Sequence, residues 1–548
     1  MNFYLKPKLF STLKSYTKQQ FMKDVTAGII VAIIALPLSI ALALASGVSP
    51  EKGLYTAIIA GFVISFFGGS RVQISGPTAA FATIVAGIVA KNGVDGLILA
   101  TIMAGILVML MGIFKMGNLI KYIPYTITTG FTSGIAITIL IGQLKDFLGL
   151  TFTTSPIETV QKLKECIRSF STINLQALLI GLISLAILIL WPKINQKIPA
   201  SLIAVFVGSA LVKLFHLPVN TIGSLYVISN ALPSFHIPEV SLEAIQRLFP
   251  DAITIALLAM IESLLSCVVS DGMIGSRHNS NMELVAQGLG NISSALFGGI
   301  PATGAIARTA ANVKNGGRTP IAGMVHSIVL VLILVILTPY AALIPMPTIA
   351  AILFMVAYNM SEWRIFLNLL KTSPKSDIAV LITTFSLTVV FDLVVAIEVG
   401  ILLTAILFIK RMADVADIQA WKYLDSYEEE RDEENIHYKV VPKNTLVYEL
   451  SGPMFFAAAD IFMGIPTQKH INAIILRMRS VPAMDSTALH SLQKMKKRCD
   501  KNGITLIFSH VCEQPMAMMK KAGFSSLVGE DNFCPNIDAA LARAKEIA

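Results

Sequence analysis

"GGIPATGAIARTAANVKNGGRTP", residues 298–320, puts an arginine into a stretch otherwise suited to lipid. Gly298, Gly299, Pro301 and Gly304 interrupt an otherwise apolar chain, small residues follow, and Arg308 stands among them. Glycine and proline break regular backbone, and a cation at bilayer depth is costly. A second stretch, "SRVQISGPTAAFATIVAG" at residues 70–87, has the same plan. Each begins extended, passes Gly and Pro, and turns into a short helix of small residues.

The surroundings of both stretches are built for lipid. The chain has 548 residues, 54% hydrophobic and only 14% charged, with a mean hydropathy of +0.70. A soluble domain carries about 25% charged residues. Apolar runs long enough to cross about 30 Å of hydrocarbon predict helices near 24–46, 53–69, 95–114, 123–145, 173–191, 199–216, 251–270, 281–297, 320–338, 341–358, 376–392 and 394–410. With the short segments 76–91 and 303–313 the expectation is a polytopic α-helical membrane protein of about fourteen crossings or part-crossings.

Charge sets an orientation. Loops predicted on one side hold Arg71, Lys115, Lys121, Lys193, Lys197, Arg277, Lys314, Arg318, Arg364, Lys371, Lys375, Lys410 and Arg411. Opposite loops such as "KNGVDG" and "PYAALIPMP" are poor in Lys and Arg; the 146–172 loop, with Lys162, Lys164 and Arg168, is the exception. The positive-inside rule then predicts both termini in the cytoplasm. It also explains a net charge of +9 without nucleic acid, for which no basic-aromatic patch exists. Residues 1–23, with Lys6, Lys8, Lys14, Lys18 and Lys23 and no cleavage signature, read as a retained cytoplasmic segment. The membrane domain is expected over 24–411, a charged linker containing "YEEERDEENIHYK" over 412–443, and a small α/β domain over 444–548. In that last part "TLVYELSG", "AIILRM" and "ITLIFSH" read as strands, with helices near 457–463 and 486–499.

The two broken segments are third and tenth in order, the same position in two halves of seven. Seven is odd, so the halves are inverted, and both helix N-termini are expected near the midplane. Matched broken helices point to a transporter binding site, and helix N-termini favour an anion. Gly304 and Ala305 allow close backbone approach, and Arg308, about five residues into its helix, adds a full charge. Glu262 lies mid-helix in "AITIALLAMIESLLSCVV" with Ser266 one turn on. A cavity-facing acid of this kind binds Na⁺ or carries a proton, and the plain alternative is a structural acid paired with Arg308 or capped by backbone. Glu283 and Glu398 read as structural acids, and His326 as a hydrogen-bonded helix histidine. In "AMDSTAL", residues 483–489, Asp485, Ser486 and Thr487 begin a helix, as an N-cap or as a regulatory phosphorylation site.

No Walker loop, HExxH, GxSxG or dinucleotide-binding GxGxxG occurs, so neither ATP drive nor hydrolysis is expected. Five scattered cysteines without CxxC indicate neither a disulfide framework nor a zinc site. No metal or cofactor is implied.

At "GLYTAIIAGFVISFFGGSRVQISGPTAAF", "NMELVAQGLGN", residues 298–320 and the C-terminal domain the sequence resembles the SulP/SLC26 anion transporters. The C-terminal part is similar to a STAS domain. "IESLLSCVVSDGMIGS", "VAYNMSEW" and "SGPMFFAAAD" resemble the DauA-type C4-dicarboxylate branch. The resemblance implies a seven-plus-seven inverted repeat with a core and a gate domain, often dimeric. It places substrate between helices three and ten, at Thr78, Ala79, Gly304, Ala305 and Arg308, beside Thr303. It matches Glu262 and Ser266 to a Na⁺-binding pair of helix eight, and Thr487 to a phosphorylated STAS position. Leu38 after Pro37, and Ile306 where a hydroxyl belongs in the sodium pattern, favour Glu262 as a proton carrier over Na⁺. Ala488 stands where many STAS relatives have Gly. The expectation is an inner-membrane secondary transporter taking up succinate- or fumarate-type dianions with protons. Sulfate or bicarbonate transport is the first alternative. An anion channel, or a STAS platform for an unknown cytoplasmic partner, is the second.

Overall fold

The computed structural model describes residues 5–547 apart from 119–123, 155, 157, 196–197, 228, 392, 416, 421–440, 457–461, 463–464 and 466–469. All of the predicted helix at 457–463 except Phe462, most of the charged linker, and Lys121 and Lys197 therefore lie outside the described residues. The chain divides into two compact units, Met1–Ile401 and Leu402–Ala548.

The first unit is helical. Its main helices are α1 (Lys18–Ala45), α2 (Pro50–Phe67), α3 (Ala79–Ile113), α4 (Tyr125–Leu148), α5 (Leu175–Ile194), α6 (Ala200–Phe215), α7 (Leu242–Ile274) and α8 (Ser280–Leu296). They continue as α9 (Ile306–Lys314), α10 (Ile321–Ala341), α11 (Met346–Ser361) and α12 (Lys375–Val390), and α13 (Leu393–Val415) runs across the boundary between the units. Two-residue strands β1 (Ser75–Gly76) and β2 (Thr303–Gly304) precede α3 and α9. The expected third and fourth crossings run together as α3, interrupted only at Gly93, whose φ of 69° needs glycine. Short helices Thr159–Arg168 and Trp363–Thr372 occupy loops where no crossing was expected.

Two helix groups form. In one, α8 packs on α3 and α2, α7 on α3, and α10 on α1 and α2. In the other, α4 packs on α11 and α12, and α5 on α6 and α11. Lipid gives apolar helices little reason to associate, so small residues bring backbones together. A methyl on Gly105 of α3 would lie 2.7 Å from the Gly288 carbonyl oxygen of α8, and one on Gly288 would lie 2.5 Å from that of Gly105.

The extended lead-ins to α3 and α9 expose backbone groups that bilayer depth cannot leave unpaired. Side chains of α8 satisfy them. The Glu283 carboxylate accepts from the Gly69 and Ser70 backbone N–H groups at 2.9 and 3.0 Å, and from Gln73 and Gln287 side chains at 2.7 and 3.0 Å. Asn291 accepts from Ala302 N–H at 2.8 Å and donates to Ala302 O at 2.9 Å. From α9, Asn312 donates to Val72 O at 2.8 Å. After α9, Asp24 of α1 accepts from Arg318 N–H at 2.8 Å and from the Thr319 hydroxyl at 2.6 Å, closing the loop. Glu283 is thus structural, as expected. Glu398 differs: its side chain is exposed on α13.

The second unit is a five-stranded sheet in the order β3 (Asp417–Ala420), β4 (Thr445–Ser451), β5 (Ala473–Ser480), β6 (Thr505–Ser509), β7 (Phe533–Cys534). Pairings from β4 to β7 are parallel; β3 joins β4 antiparallel. The presumed linker thus contributes an edge strand, because the open edge of β4 offers unpaired backbone groups. Alternation sorts β5: Ile474, Leu476 and Met478 pack with Leu492 and Met495 of α14 (Ser486–Lys501), and Ile475 packs with Ala540 and Leu541 of α15 (Ile537–Ile547).

Glu283→Ala strips four buried donors of their acceptor. Each unsatisfied donor costs about 1–3 kcal/mol, so the detergent-solubilised protein is expected to lose about 3 kcal/mol or more and melt several degrees lower. An unchanged melting temperature would refute the clamp.

Candidate functional site

β1 and β2 pair antiparallel, with Ser75 opposite Gly304 and Gly76 opposite Thr303. Ala305 N–H donates to Ile74 O at 2.8 Å. The two broken segments therefore meet backbone to backbone, and each strand ends at a helix start: Thr78 is the N-cap residue of α3, Ala305 that of α9. Neither N-cap side chain bonds its own helix, so the first backbone N–H groups and the positive dipole ends remain open at the crossing.

Helix α7 braces this junction. Ser263 Oγ lies 2.7 Å from Thr303 Oγ1 and accepts from Gly304 N–H at 3.2 Å. Ser266 donates to Thr309 Oγ1 at 3.4 Å, and Thr309 Oγ1 accepts from Ile74 N–H at 3.0 Å. One turn along, Thr78 donates its hydroxyl to Glu262 Oε2 at 2.9 Å. Thr78 and Glu262 are half-buried, and Ile306 and Ala307 at the start of α9 are exposed, so the junction has an open side.

Arg308 sits closer to the helix tip than its spacing suggested. Helix α9 begins at Ile306, after the strand, so Arg308 lies in the first turn. The guanidinium is buried; Nη2 donates to Pro77 O, while Nη1 finds no partner. A methyl on Gly76 would come within 2.6 Å of Nη1, so glycine is what admits the guanidinium here. Among the described residues no ion pair joins Arg308 to Glu262. They occupy neighbouring anchors instead, Pro77 and Thr78. A cation in a first turn is repelled by its own helix dipole, and here it adds to a second helix tip.

The expected residues Thr78, Ala79, Thr303, Gly304, Ala305, Arg308, Glu262 and Ser266 all gather at this junction, with Ser266 turned to Thr309 rather than to Glu262. Ser486 and Thr487 belong to the second unit, at the start of α14; both are exposed, and Asp485 caps the helix by accepting from Ala488 N–H at 2.9 Å. His326 departs from expectation: it is buried, yet neither ring nitrogen has a hydrogen-bond partner. Sequence reasoning missed Gln73, Ser263 and Thr309. Gln73 accepts from the Cys267 thiol at 2.9 Å.

The model of the Sulfate permease family matches residues 21–384. The chain belongs to that family. Residues 437–540 match the STAS domain. Among curated relatives, the "Putative sulfate transporter YvdB" of Bacillus subtilis (strain 168) is 39% identical over 96% of this chain and 98% of its own length. The "Bicarbonate transporter BicA" of Picosynechococcus sp. is 32% identical, over 86% of this chain and 85% of the relative. The solved SLC26A9 structure superposes with a TM-score of 0.88 over 100% of this chain and 93% of that one, at 20% identity, a likeness of fold. These relatives are transporters, not enzymes. The chain is a multi-pass anion transporter of the SulP/SLC26 type with a C-terminal STAS domain. The dicarboxylate branch suggested by sequence is not among these relatives.

Gly76→Ala is expected to push Arg308 off the tip of α3. Anion-induced thermal stabilisation should drop by about tenfold in apparent affinity, the scale of one charge-assisted hydrogen bond. Wild-type affinity in this variant would mean that Arg308 does not meet the anion.

Proposed function

We propose that this protein takes up small anions together with protons, with substrate held between the tips of α3 and α9. The observation that carries this reading is the unpartnered Nη1 of Arg308 beside two open helix N-termini joined by β1–β2 pairing. The anion's oxygens accept from the N–H groups at Ala79 and Ala80 and at Ile306 and Ala307, and from Arg308. Glu262 carries the proton. Its Thr78 partner ties it to the tip of α3, so protonation and substrate occupancy act on the same residue pair.

C4-dicarboxylates of the succinate or fumarate type are the first substrates to test, on the motifs "IESLLSCVVSDGMIGS" and "SGPMFFAAAD". Sulfate is the second reading, favoured by the relative named a putative sulfate transporter. Bicarbonate completes the panel through BicA. The distribution of Lys and Arg supports an inner-membrane protein with both termini cytoplasmic. The exposed Ser486 and Thr487 offer a phosphorylation or docking point for a cytoplasmic partner of the STAS domain, and a homodimer is the expected assembly.

Proteoliposomes holding the full chain and given succinate, sulfate or bicarbonate under an imposed pH gradient test this reading. Wild type accumulates at least one of these above its equilibrium level. Glu262→Gln is expected to keep gradient-independent exchange but lose gradient-driven accumulation by about tenfold or more. Undiminished accumulation in this variant removes Glu262 as the carrier, and conduction without saturation would favour a channel.

A further inference from the structure

Two short helices of the first unit take no part in the junction: Thr159–Arg168 and Trp363–Thr372, ten residues each. Ten residues rise about 15 Å, half the hydrocarbon thickness, so neither crosses. Both pack on α4, which is long and apolar enough to cross, and they do so toward its opposite ends. Beyond the C-terminal end of α4, Thr153 N–H donates to Glu165 Oε1 at 3.0 Å, and Asn174 N–H donates to Leu148 O at 3.1 Å. Toward the other end, the Ser133 hydroxyl donates at 2.6 Å to Ser361 O, two residues before the second short helix. The two short helices therefore stand at opposite faces of the membrane.

They share one layout. In Trp363–Thr372, Phe366 turns inward, its ring centroid 5.2 Å from that of Phe385 of α12. Trp363 and Leu367, one turn apart, are 44% and 43% exposed. On the adjoining face Arg364 and Lys371 are exposed, and Arg364 lies over the Trp363 ring, 5.5 Å from its centroid. In Thr159–Arg168, Thr159, Glu165 and Cys166 are buried. Leu163 and Ile167, again one turn apart, are exposed, Ile167 by 68%, and Phe170 follows at 60%. Lys164 and Arg168 border this stripe and are exposed. Among the described residues none of these four cations has an ion-pair partner. Of the nearby acids, Glu165 is engaged with Thr153 and Glu158 with Gln161, and Glu362 is exposed where the second helix begins.

An apolar stripe bordered by cations suits the boundary between acyl chains and headgroups. The apolar side chains enter the edge of the hydrocarbon, and the long cationic ones reach the phosphates. The Trp363–Thr372 helix lies on the side rich in Lys and Arg, as the positive-inside rule asks. The other helix breaks that rule, and its Lys162, Lys164 and Arg168 are what made the 146–172 loop the exception. Contact with lipid phosphate gives cations a reason to stand on that side.

We propose that these two helices are docking surfaces for anionic phospholipid, one in each leaflet. Trp363 and Leu367 on one, and Leu163 and Ile167 on the other, lie against acyl chains. Arg364 with Lys371, and Lys164 with Arg168, hold headgroup phosphates. Anionic lipid fits better than zwitterionic lipid because it brings the negative charge that these cations lack. The proposal does not rest on which anion the junction carries.

The test uses the full chain in phosphatidylcholine vesicles containing phosphatidylglycerol, and reads the quenching of tryptophan by brominated acyl chains. The chain has three tryptophans. Trp191→Phe with Trp421→Phe leaves Trp363 as the reporter, and adding Trp363→Phe with Ile167→Trp moves the reporter to the other helix. At each helix phosphatidylglycerol is expected to bind at least about fivefold better than phosphatidylcholine, the weight of one surface cation. Arg364→Gln with Lys371→Gln, and Lys164→Gln with Arg168→Gln, are each expected to bring the ratio to within about twofold of unity at their own helix. Salt at about 1 M should do the same at both. Equal binding of the two lipids at either helix with its cations in place overturns the proposal, as does a preference that survives the glutamine variants. Quenching by neither lipid means that protein, such as a second copy of this chain, covers the face, and overturns it too. The proteins that keep their cations decide even if the glutamine variants fail to fold.

Discussion

Two extended pieces of backbone meeting where only helices should survive is the constraint on which the rest depends. In hydrocarbon every N–H and C=O must find a partner inside the protein. Strands β1 and β2 partially satisfy each other, and the remainder falls to Glu283, Asn291, Asn312, Ser263 and Thr309. These polar side chains are buried because the crossing exists, and the crossing persists because they are there. Glycines on α3 and α8 then let those helices close around it.

The same constraint shapes the proposed binding site. A helix that starts at membrane depth leaves its first N–H groups pointing at whatever lies ahead. Two such starts share one point, and Arg308 in the first turn of α9 raises the positive charge rather than relieving it. Such an arrangement is unfavourable unless an anion completes it. Glu262 and Thr78 stand at the edge of that positive field, on the half-buried side where access is open.

The crossings, the broken helices, the anion preference and the α/β tail were all legible in the chain. Hydropathy over about twenty residues reports length, and Gly-Pro interruptions report breaks, whichever helices later become neighbours. Glu262 and Arg308 stood out because charge is rare in apolar runs. Some assignments shifted because they depend on local backbone. Helix α9 starts after a strand, which moved Arg308 into the first turn, and a strand formed from the presumed linker because β4 had an edge to cover. Gln73, Ser263 and Thr309 left little trace, since a hydroxyl or an amide in a membrane helix looks alike whether it braces a strand or bonds its own turn.

Consecutive residues alone establish that this chain crosses a membrane many times and breaks two of those crossings at matched places with an arginine in one. Long-range contacts settle that the two breaks hydrogen-bond to each other, that Glu283 clamps the lead-in to α3 while Glu262 holds its tip, and that His326 is buried without a partner. The reason is physical. Hydrophobicity and helix breaking are properties of consecutive residues, whereas a polar atom is satisfied or stranded by residues hundreds of positions away.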